Sequence, residues 1–182
     1  MAKQFAHIDE VHQNFIQEQP IFFSGTAAPE GRVNISPKGM DSLRVVGPNR
    51  ILWLNYTGSG NETAGHLRLS DRMTLMWCSF GKRPLILRAY GTAKTLHPRD
   101  DGWGEALSLF DEPYTARQIY DMHVEMVQTS CGYAVPQMEL TAERDLLLPA
   151  MTAKSGTVED FWAERNTTTI DGQPTGIFGD DI

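Results

Sequence analysis

Short runs of apolar residues, one of them alternating with polar residues, recur through the first half of the chain. Alternation with a period of two is typical of strands that bury one face. Glycine, proline and asparagine residues separate the runs and favour tight turns between them. Gly91 interrupts the last run, which is typical of a bulge or of a close approach of backbone. The pattern predicts about six strands, over residues 21–28, 32–38, 43–46, 50–56, 73–80 and 85–96.

Two helices are predicted among these strands. Apolar residues from Ile8 to Ile16 recur at helical spacing, with Asp9 placed to cap the helix and Pro20 placed to end it. A short helix over residues 64–69 follows the fourth strand. Strands joined mainly by short turns favour a barrel or a sandwich over a parallel sheet with crossover helices.

In the second half of the chain the hydrophobic spacing becomes that of helices. A clear repeat of three and four, built on Ile119, Met122, Met126 and Val127, predicts a long amphipathic helix over residues 114–129. An extended segment follows it. Further helices are predicted over residues 103–110, from Thr141 to about Pro149, and from Thr157, which forms a capping pair with Asp160, to Arg165.

The whole pattern predicts a mainly β fold with flanking helices, in which helices pack on the ends of a β-barrel. At 182 residues a single domain is expected, and it is large enough to bury a core without disulfides. We divide residues 1–182 into an N-terminal helix (1–19), a barrel core (20–96) and a helical and extended part (97–182). Residues 166–182 are predicted to form an ordered loop with a loose acidic tip.

Charge and cysteine content narrow the classes of partner and compartment. The chain has 23 acidic and 16 basic residues, a net charge of −7, which disfavours nucleic acid and anionic membranes as partners. Its two cysteines, Cys78 and Cys131, lie far apart and outside any CxxC pair. No signal-peptide pattern or membrane-length apolar run is found. These features predict a cytoplasmic protein.

Two neighbouring segments carry the candidate chemistry. In the strand over 32–38, polar side chains at every second position share one face, and two of them, Arg32 and Lys38, are cations. The strand over 50–56 delivers the polar, glycine-containing loop TGSGNET to a helix start, where free N–H groups suit a phosphate. A simpler alternative is that the polar face is solvated surface. The mixed residue types on that face and the neighbouring loop favour the anion site.

Other motifs have little support. The run from Gly58 to Thr63 begins like GxGxxG but has threonine in the third position, and it matches no P-loop. The five histidines show no metal-ligand spacing, so packed or surface imidazoles are favoured over a metal site. No serine lies in a GxSxG elbow. No side chain stands out as an acid or base, so the catalytic residues are unknown.

The order of several short motifs is more informative than any one of them. VNISPKG, RILWLNYTGSGNETAGHL, MTLMWCSF and PLILRAYGTAKTL are followed by CGY, by Trp162 with Asn166, and by IDGQP. This succession resembles the pyridoxamine 5′-phosphate oxidase-related family of FMN-binding split barrels, over nearly the whole chain. The resemblance implies a six-stranded split barrel that forms a homodimer, with FMN at the subunit interface and residues 97–182 packed on the barrel and the dimer seam.

The resemblance also implies an oxidoreductase that acts on an unidentified small molecule. The alternative is non-catalytic binding of flavin, deazaflavin or haem on the same fold. One departure from the family is that its oxidases carry an Arg-Lys pair where this chain has Glu62 and Thr63. Trp53, Tyr56, Trp77 and Trp162 are candidate walls for the flavin ring. The matching cofactor-binding positions are Arg32, Asn34, Ser36, Lys38, Thr57, Ser59, Asn61 and Thr63, with Arg88 and Trp162 as further candidates.

Overall fold

The structure is a computed structural model that describes residues 2–111, 115–152 and 156–179. Its strands are β1 (Lys3–Phe5), β2 (Phe22–Thr26), β3 (Asn34–Lys38), β4 (Leu43–Gly47), β5 (Arg50–Tyr56), β6 (Arg72–Cys78), β7 (Ile86–Leu96) and β8 (Ala116–Ser130). They form one antiparallel sheet in the order β3-β2-β6-β7-β8-β5-β4, with β1 paired to β8. The predicted strands are all present, and β1 and β8 bring the number to eight.

The helices are α1 (Glu10–Gln17), α2 (Glu62–Leu69), α3 (Trp103–Leu107), α4 (Leu147–Thr152) and α5 (Val158–Arg165). Asp9 caps α1, and Thr157 forms a capping box with Asp160 at the start of α5, as predicted. The helix predicted from Thr141 to about Pro149 begins later than expected, because residues 141–146 are irregular and exposed and α4 starts at Leu147. None of the described helices is long and apolar enough to cross a lipid bilayer.

The long helix predicted over residues 114–129 is wrong, because Ala116–Ser130 form the strand β8; Tyr114 lies outside the described residues. This strand pairs with β7 on one side and with β5 and β1 on the other. Tyr120, Met122 and Val124 alternate into the core, and a bulge opposite Gly91 moves the next buried residue to Val127. Ile119 is buried on the opposite face, near α3. Because both faces of β8 are buried and the bulge shifts the alternation by one residue, its apolar residues recur at intervals of three and four, which is the spacing expected of a helix.

The core fills the inside of the curled sheet. Trp53, Trp77 and Tyr120 are its largest fully buried side chains, and Trp77 therefore packs in the core. The sheet ends at β3 and β4, whose outer edges pair with no other strand in the described part of the chain. Lys38 of β3 nevertheless lies 5.2 Å from the Trp53 ring of β5. The sheet thus curls almost closed and leaves a gap.

The predicted fold class is confirmed: the protein is a mainly β split barrel with flanking helices. The C-terminal residues 166–179 form an ordered, hydrogen-bonded loop, as predicted. The expected loose acidic tip, at residues 180–182, lies outside the described residues.

Candidate functional site

A cavity of about 300 Å³ opens at the gap in the barrel. We refer to it as the gap cavity. Its walls come from β3, from β5 and the loop after it, from the first turn of α2, and from β8. It brings together six of the ten residues that the sequence analysis assigned to cofactor binding, which are Asn34, Ser36, Lys38, Ser59, Asn61 and Thr63.

The polar face of β3 is turned inward. Asn34, Ser36 and Lys38 are partly buried and line the gap cavity, with the Ser36 hydroxyl 3.2 Å from the Asn34 side-chain oxygen. The apolar side chains of Val33 and Ile35 point outward and are 68% and 69% exposed. A solvated strand would show the opposite arrangement. The polar face of β3 is therefore a partly buried wall of the cavity, whereas its apolar face is the exposed one.

Two cations share the gap cavity. Arg117 is 2% exposed, and burial lowers its pKa. Burial, together with the charge of Arg117, lowers the pKa of Lys38 to about 8. Neither residue forms an ion pair with a carboxylate of the described residues. Two like charges in a desolvated site repel each other, and a bound anion would remove that cost.

Arg117 reaches the cavity because of a β-bulge. Asn55 pairs with Gln118 and Tyr56 pairs with Ala116, so Arg117 is the additional residue on β8. A bulge redirects the side chain at that point of a strand. The guanidinium donates to the carbonyls of Gly58 at 3.3 Å and Gly60 at 3.0 Å, while its Nε has no hydrogen-bond partner. One N–H of a buried cation is therefore left for a ligand.

The loop after β5, residues 57–61, lines the same cavity through Gly58, Ser59, Gly60 and Asn61. A trans peptide points its N–H opposite to its carbonyl. Because Arg117 holds the Gly58 and Gly60 carbonyls, the N–H groups of Ser59 and Asn61 point away from those contacts. The side chain of Asn61 makes no capping bond at the start of α2, unlike the caps of α1 and α5. Uncapped N–H groups at a helix start suit an anion.

Glu62, the departure noted in the sequence, also lines the cavity. Its two carboxylate oxygens lie 3.3 and 3.1 Å from the backbone nitrogen of Ile170, which donates to them. The carboxylate is thus held by the C-terminal segment and does not pair with Lys38 or Arg117.

Four of the ten assigned residues do not line the gap cavity. Arg32 binds Asp171 through both its side chain and its backbone N–H, and the backbone bond is the main reason that the pKa of Asp171 is lowered. Arg88, on β7, lies 3.3 Å from the Ser130 hydroxyl. Trp162 is buried behind the loop, where its indole N–H donates to the Thr57 hydroxyl at 2.9 Å.

Thr57, the last of the ten, is buried and lines a second cavity of about 220 Å³. This cavity adjoins the first, because Lys38, Trp53, Tyr56 and two other residues line both. Trp53 and Tyr56 were candidates for a ring-binding wall, and the structure places both beside the cations. The walls of the two cavities thus contain both cationic and aromatic side chains.

Three residues of the gap cavity were not predicted from the sequence: Arg117, Asn55 and Tyr120. The Asn55 amide donates to the Gln118 side-chain oxygen at 3.2 Å and to the Tyr120 hydroxyl at 3.3 Å, and burial raises the pKa of Tyr120. The available signal was the pair Arg117 and Gln118 at the start of an apolar run. Because that run was interpreted as a helix, the sequence offered no reason to place Arg117 and Tyr120 beside Asn55 of β5.

Comparisons with known proteins agree with this architecture. A family model described as pyridoxamine 5′-phosphate oxidase matches residues 8–131. The pyridoxamine 5′-phosphate oxidase family protein ustO of Aspergillus flavus is 31% identical over 176 residues, covering 86% of this chain and 70% of that protein.

Two solved structures share the fold at low sequence identity. A HupZ variant from Group A Streptococcus has a TM-score of 0.56 and 17% identity over 68% of this chain and 99% of that one. A protein of Lactobacillus delbrueckii, provisionally named a pyridoxamine 5′-phosphate oxidase, has a TM-score of 0.55 and 19% identity over 68% of this chain and 94% of that one. The two solved structures show a shared fold, whereas the family model and the Aspergillus flavus protein show homology in sequence. The chain belongs to the pyridoxamine 5′-phosphate oxidase family.

Proposed function

We propose that the protein binds FMN, with the phosphate in the gap cavity, and that it is a flavin-dependent oxidoreductase acting on a small molecule. The observation that carries the proposal is the presence of Lys38 and Arg117 in one cavity without a carboxylate partner among the described residues. A dianionic phosphate would neutralise both cations and accept from the loop N–H groups. Membership of the family supports the same cofactor.

Each part of the site has a distinct role in this proposal. Lys38 and Arg117 hold the phosphate, and Ser59 and Thr63 add donors from the loop and from α2. Trp53 and Tyr56 offer an aromatic wall toward the adjoining cavity. FMN supplies the electron and hydride transfer when bound, and the chain's residues bind it and control access to it.

The first prediction is a preference for FMN over riboflavin. Only FMN carries the phosphate that Lys38 and Arg117 would contact, and one hydrogen bond to a charged group contributes roughly 1.5–3 kcal/mol. The wild-type protein is therefore expected to bind FMN at least about tenfold more tightly than riboflavin. Titration of the purified protein with both flavins, followed by quenching of flavin fluorescence, measures the ratio. Equal affinities would contradict the phosphate site.

Turnover separates an enzyme from a non-catalytic flavin carrier. An oxidoreductase with FMN bound should be reduced rapidly by a physiological donor such as NADH or NADPH and reoxidised by an acceptor. A carrier would hold the flavin without fast reduction. Stopped-flow absorbance of the loaded protein distinguishes the two.

A homodimer is the assembly we propose. β3 is an edge strand of the sheet, and its outward side chains Val33 and Ile35 are apolar and strongly exposed. Together with Phe23 and Met76 they line an open apolar groove of about 360 Å³. An unpaired edge beside exposed apolar side chains favours association with another chain. A second copy seated there would also border the gap cavity, because the inner face of β3 forms its wall.

The second prediction tests this interface. Ile35→Glu is expected to shift the protein from dimer to monomer at micromolar concentration, because the interface would have to bury a charge. Val11→Glu is the matched control, since Val11 is similarly exposed, at 66%, but lies on α1. Sedimentation velocity measures the effect. A dimer that survives Ile35→Glu as well as it survives Val11→Glu would place the interface elsewhere.

The cytoplasm is the compartment we propose. Cys78 and Cys131 are both free thiols, the first buried and the second exposed. Reducing compartments keep an exposed thiol in this form.

A further inference from the structure

The C-terminal segment, residues 157–177, holds the loop of the gap cavity from behind. Trp162 and Asn166 are four residues apart at the end of α5, a spacing that places both side chains on one face of the helix. Among the described residues, four donor groups form hydrogen bonds between this segment and residues 57–62. The bonds are Trp162 Nε1 to Thr57 Oγ1 at 2.9 Å, Asn166 Nδ2 to the Gly58 carbonyl at 3.0 Å, Asn61 Nδ2 to the Asn166 carbonyl at 3.2 Å, and Ile170 N to the Glu62 carboxylate at 3.1 Å.

Asn166 is the centre of this contact. It is completely buried, and its backbone N–H donates to the Trp162 carbonyl at 2.8 Å and so ends α5. Its carbonyl accepts from Asn61 and also from the Thr175 hydroxyl at 2.6 Å. The residue is therefore fixed by the helix before it and by the chain after it. A side chain held in this way can impose a position on the loop.

The Gly58 carbonyl accepts from two donors, the Asn166 amide and the Arg117 guanidinium. Two donors on one carbonyl fix the plane of the peptide between Gly58 and Ser59. Because that peptide is planar and trans, fixing its carbonyl also fixes the direction of the Ser59 N–H. The same contact fixes the guanidinium of Arg117, which is the buried cation of the cavity.

We propose that Asn166 is a positioning residue for anion recognition. Through the Gly58 carbonyl it orients the Ser59 N–H and holds the Arg117 guanidinium in the gap cavity, although it does not itself line that cavity. The inference rests on the proposed phosphate site and adds a specific consequence. Selectivity for the phosphorylated flavin depends on a residue from a segment that is remote in sequence and makes no contact with the ligand.

Asn166→Leu tests the inference, because leucine has a similar size and lacks the amide donor. We expect FMN affinity to fall by roughly tenfold while riboflavin affinity stays close to the wild-type value. Thr169→Val is the matched control. Thr169 is also buried and accepts from Gln173 N at 3.1 Å within the same segment, but its hydrogen bonds do not reach the loop. This variant is expected to lose stability and to keep the wild-type ratio of FMN to riboflavin affinity.

The possible outcomes distinguish a failure of the positioning role of Asn166 from a failure of the proposed phosphate site. If the wild-type protein prefers FMN and Asn166→Leu keeps that preference, the positioning role is wrong and the phosphate site stands. If the wild-type protein binds both flavins equally, the phosphate site fails and the inference fails with it. Should Asn166→Leu not fold, Asn166→Ser provides the same comparison, because its hydroxyl is too short to reach the Gly58 carbonyl. Parallel thermal unfolding shows whether a loss of affinity only follows a loss of stability.

Discussion

Lys38→Met is expected to weaken FMN binding by roughly 10- to 100-fold and to leave riboflavin binding nearly unchanged. The ammonium group of Lys38 contributes one of the two charges in the gap cavity, and methionine keeps most of its apolar stem. Riboflavin carries no phosphate and gains little from that charge. Titration of the variant and the wild-type protein with both flavins measures the two affinities.

The same substitution is expected to stabilise the free protein. A cation held in a desolvated cavity beside Arg117 costs free energy, which is why the pKa of Lys38 falls from 10.5 to about 8. Removal of the charge should raise the free energy of unfolding at pH 7 by at least ~1 kcal/mol. Urea unfolding of the flavin-free protein gives this value. An increase in stability together with a loss of affinity indicates a site strained for its ligand.

The pH dependence follows from the same pKa. In the free wild-type protein the cost of charging Lys38 is fully present below pH 8 and disappears between about pH 8 and 10.5, so this group makes stability rise over that interval. FMN affinity should fall over the same interval, because binding must then recharge the lysine. Below about pH 6 the phosphate loses its second charge and affinity falls again. Lys38→Met should abolish the fall above pH 8.

Lys94→Met is the matched control for these measurements. Lys94 lies on β7 outside the gap cavity, its side chain is 70% exposed, and it lies 3.7 Å from Asp121. An exposed ion pair of this kind contributes little to stability. The control should leave flavin preference, stability and pH profile unchanged. If Lys38→Met behaved in the same way, the phosphate would not lie beside Lys38.

The strands of the first half could be predicted because each is short and is bounded by turn residues. Over β7, alternation carried enough information and Gly91 marked the bulge, whereas β5, which is buried on both faces, was recognised as a short apolar run between two turns. β8 could not be predicted in this way. It is a central strand with both neighbours paired, two buried faces at Ile119 and Tyr120, and two bulges. Tertiary packing there overrides the local period on which sequence interpretation depends.

The candidate site, too, could be predicted from the sequence only in part, because local patterns do not contain its tertiary contacts. Alternation placed Asn34, Ser36 and Lys38 on one face, but only the closure of the barrel shows that this face points inward. Arg32 has the same parity as these residues, yet it lies before the strand begins and is bound by Asp171. That bond spans 139 positions of sequence, and a local pattern does not contain it.

Gly91→Ala is expected to lower the free energy of unfolding by more than ~3 kcal/mol. A Cβ atom at Gly91 would overlap the His123 carbonyl oxygen and would lie 2.9 Å from the carbonyl carbon and 3.1 Å from the Val124 Cα. All three atoms are backbone of β8, which is paired on both sides, so they cannot move aside without breaking the sheet. Overlap with backbone costs more than overlap with a flexible side chain.

Gly47→Ala is the matched control, because Gly47 also lies in a strand and an added Cβ there meets no atom within 4 Å. Its free energy of unfolding should change by no more than about 0.5 kcal/mol. Urea denaturation of both variants beside the wild-type protein measures the difference. Equal effects of the two substitutions would mean that β7 and β8 can separate at this point without cost.

The large expected loss of stability in Gly91→Ala has a second cause, because the bulge at Gly91 sets which residues of β8 face the core. Tyr120, Met122 and Val124 before the bulge and Val127 after it are all buried in one core, which strict alternation would not allow. The extra residue at Glu125 corrects the phase, and it requires the close approach that only glycine permits at position 91. If alanine removed the bulge, residues on one side of it would turn toward solvent. Tyr120, which lines the gap cavity, lies with Met122 and Val124 in the buried part of β8 before the bulge. We expect this longer part to stay buried, so that Gly91→Ala lowers mainly the stability of the fold and leaves the cavity intact. Molecules that remain folded should keep their preference for FMN, and the flavin titration of the folded fraction tests this.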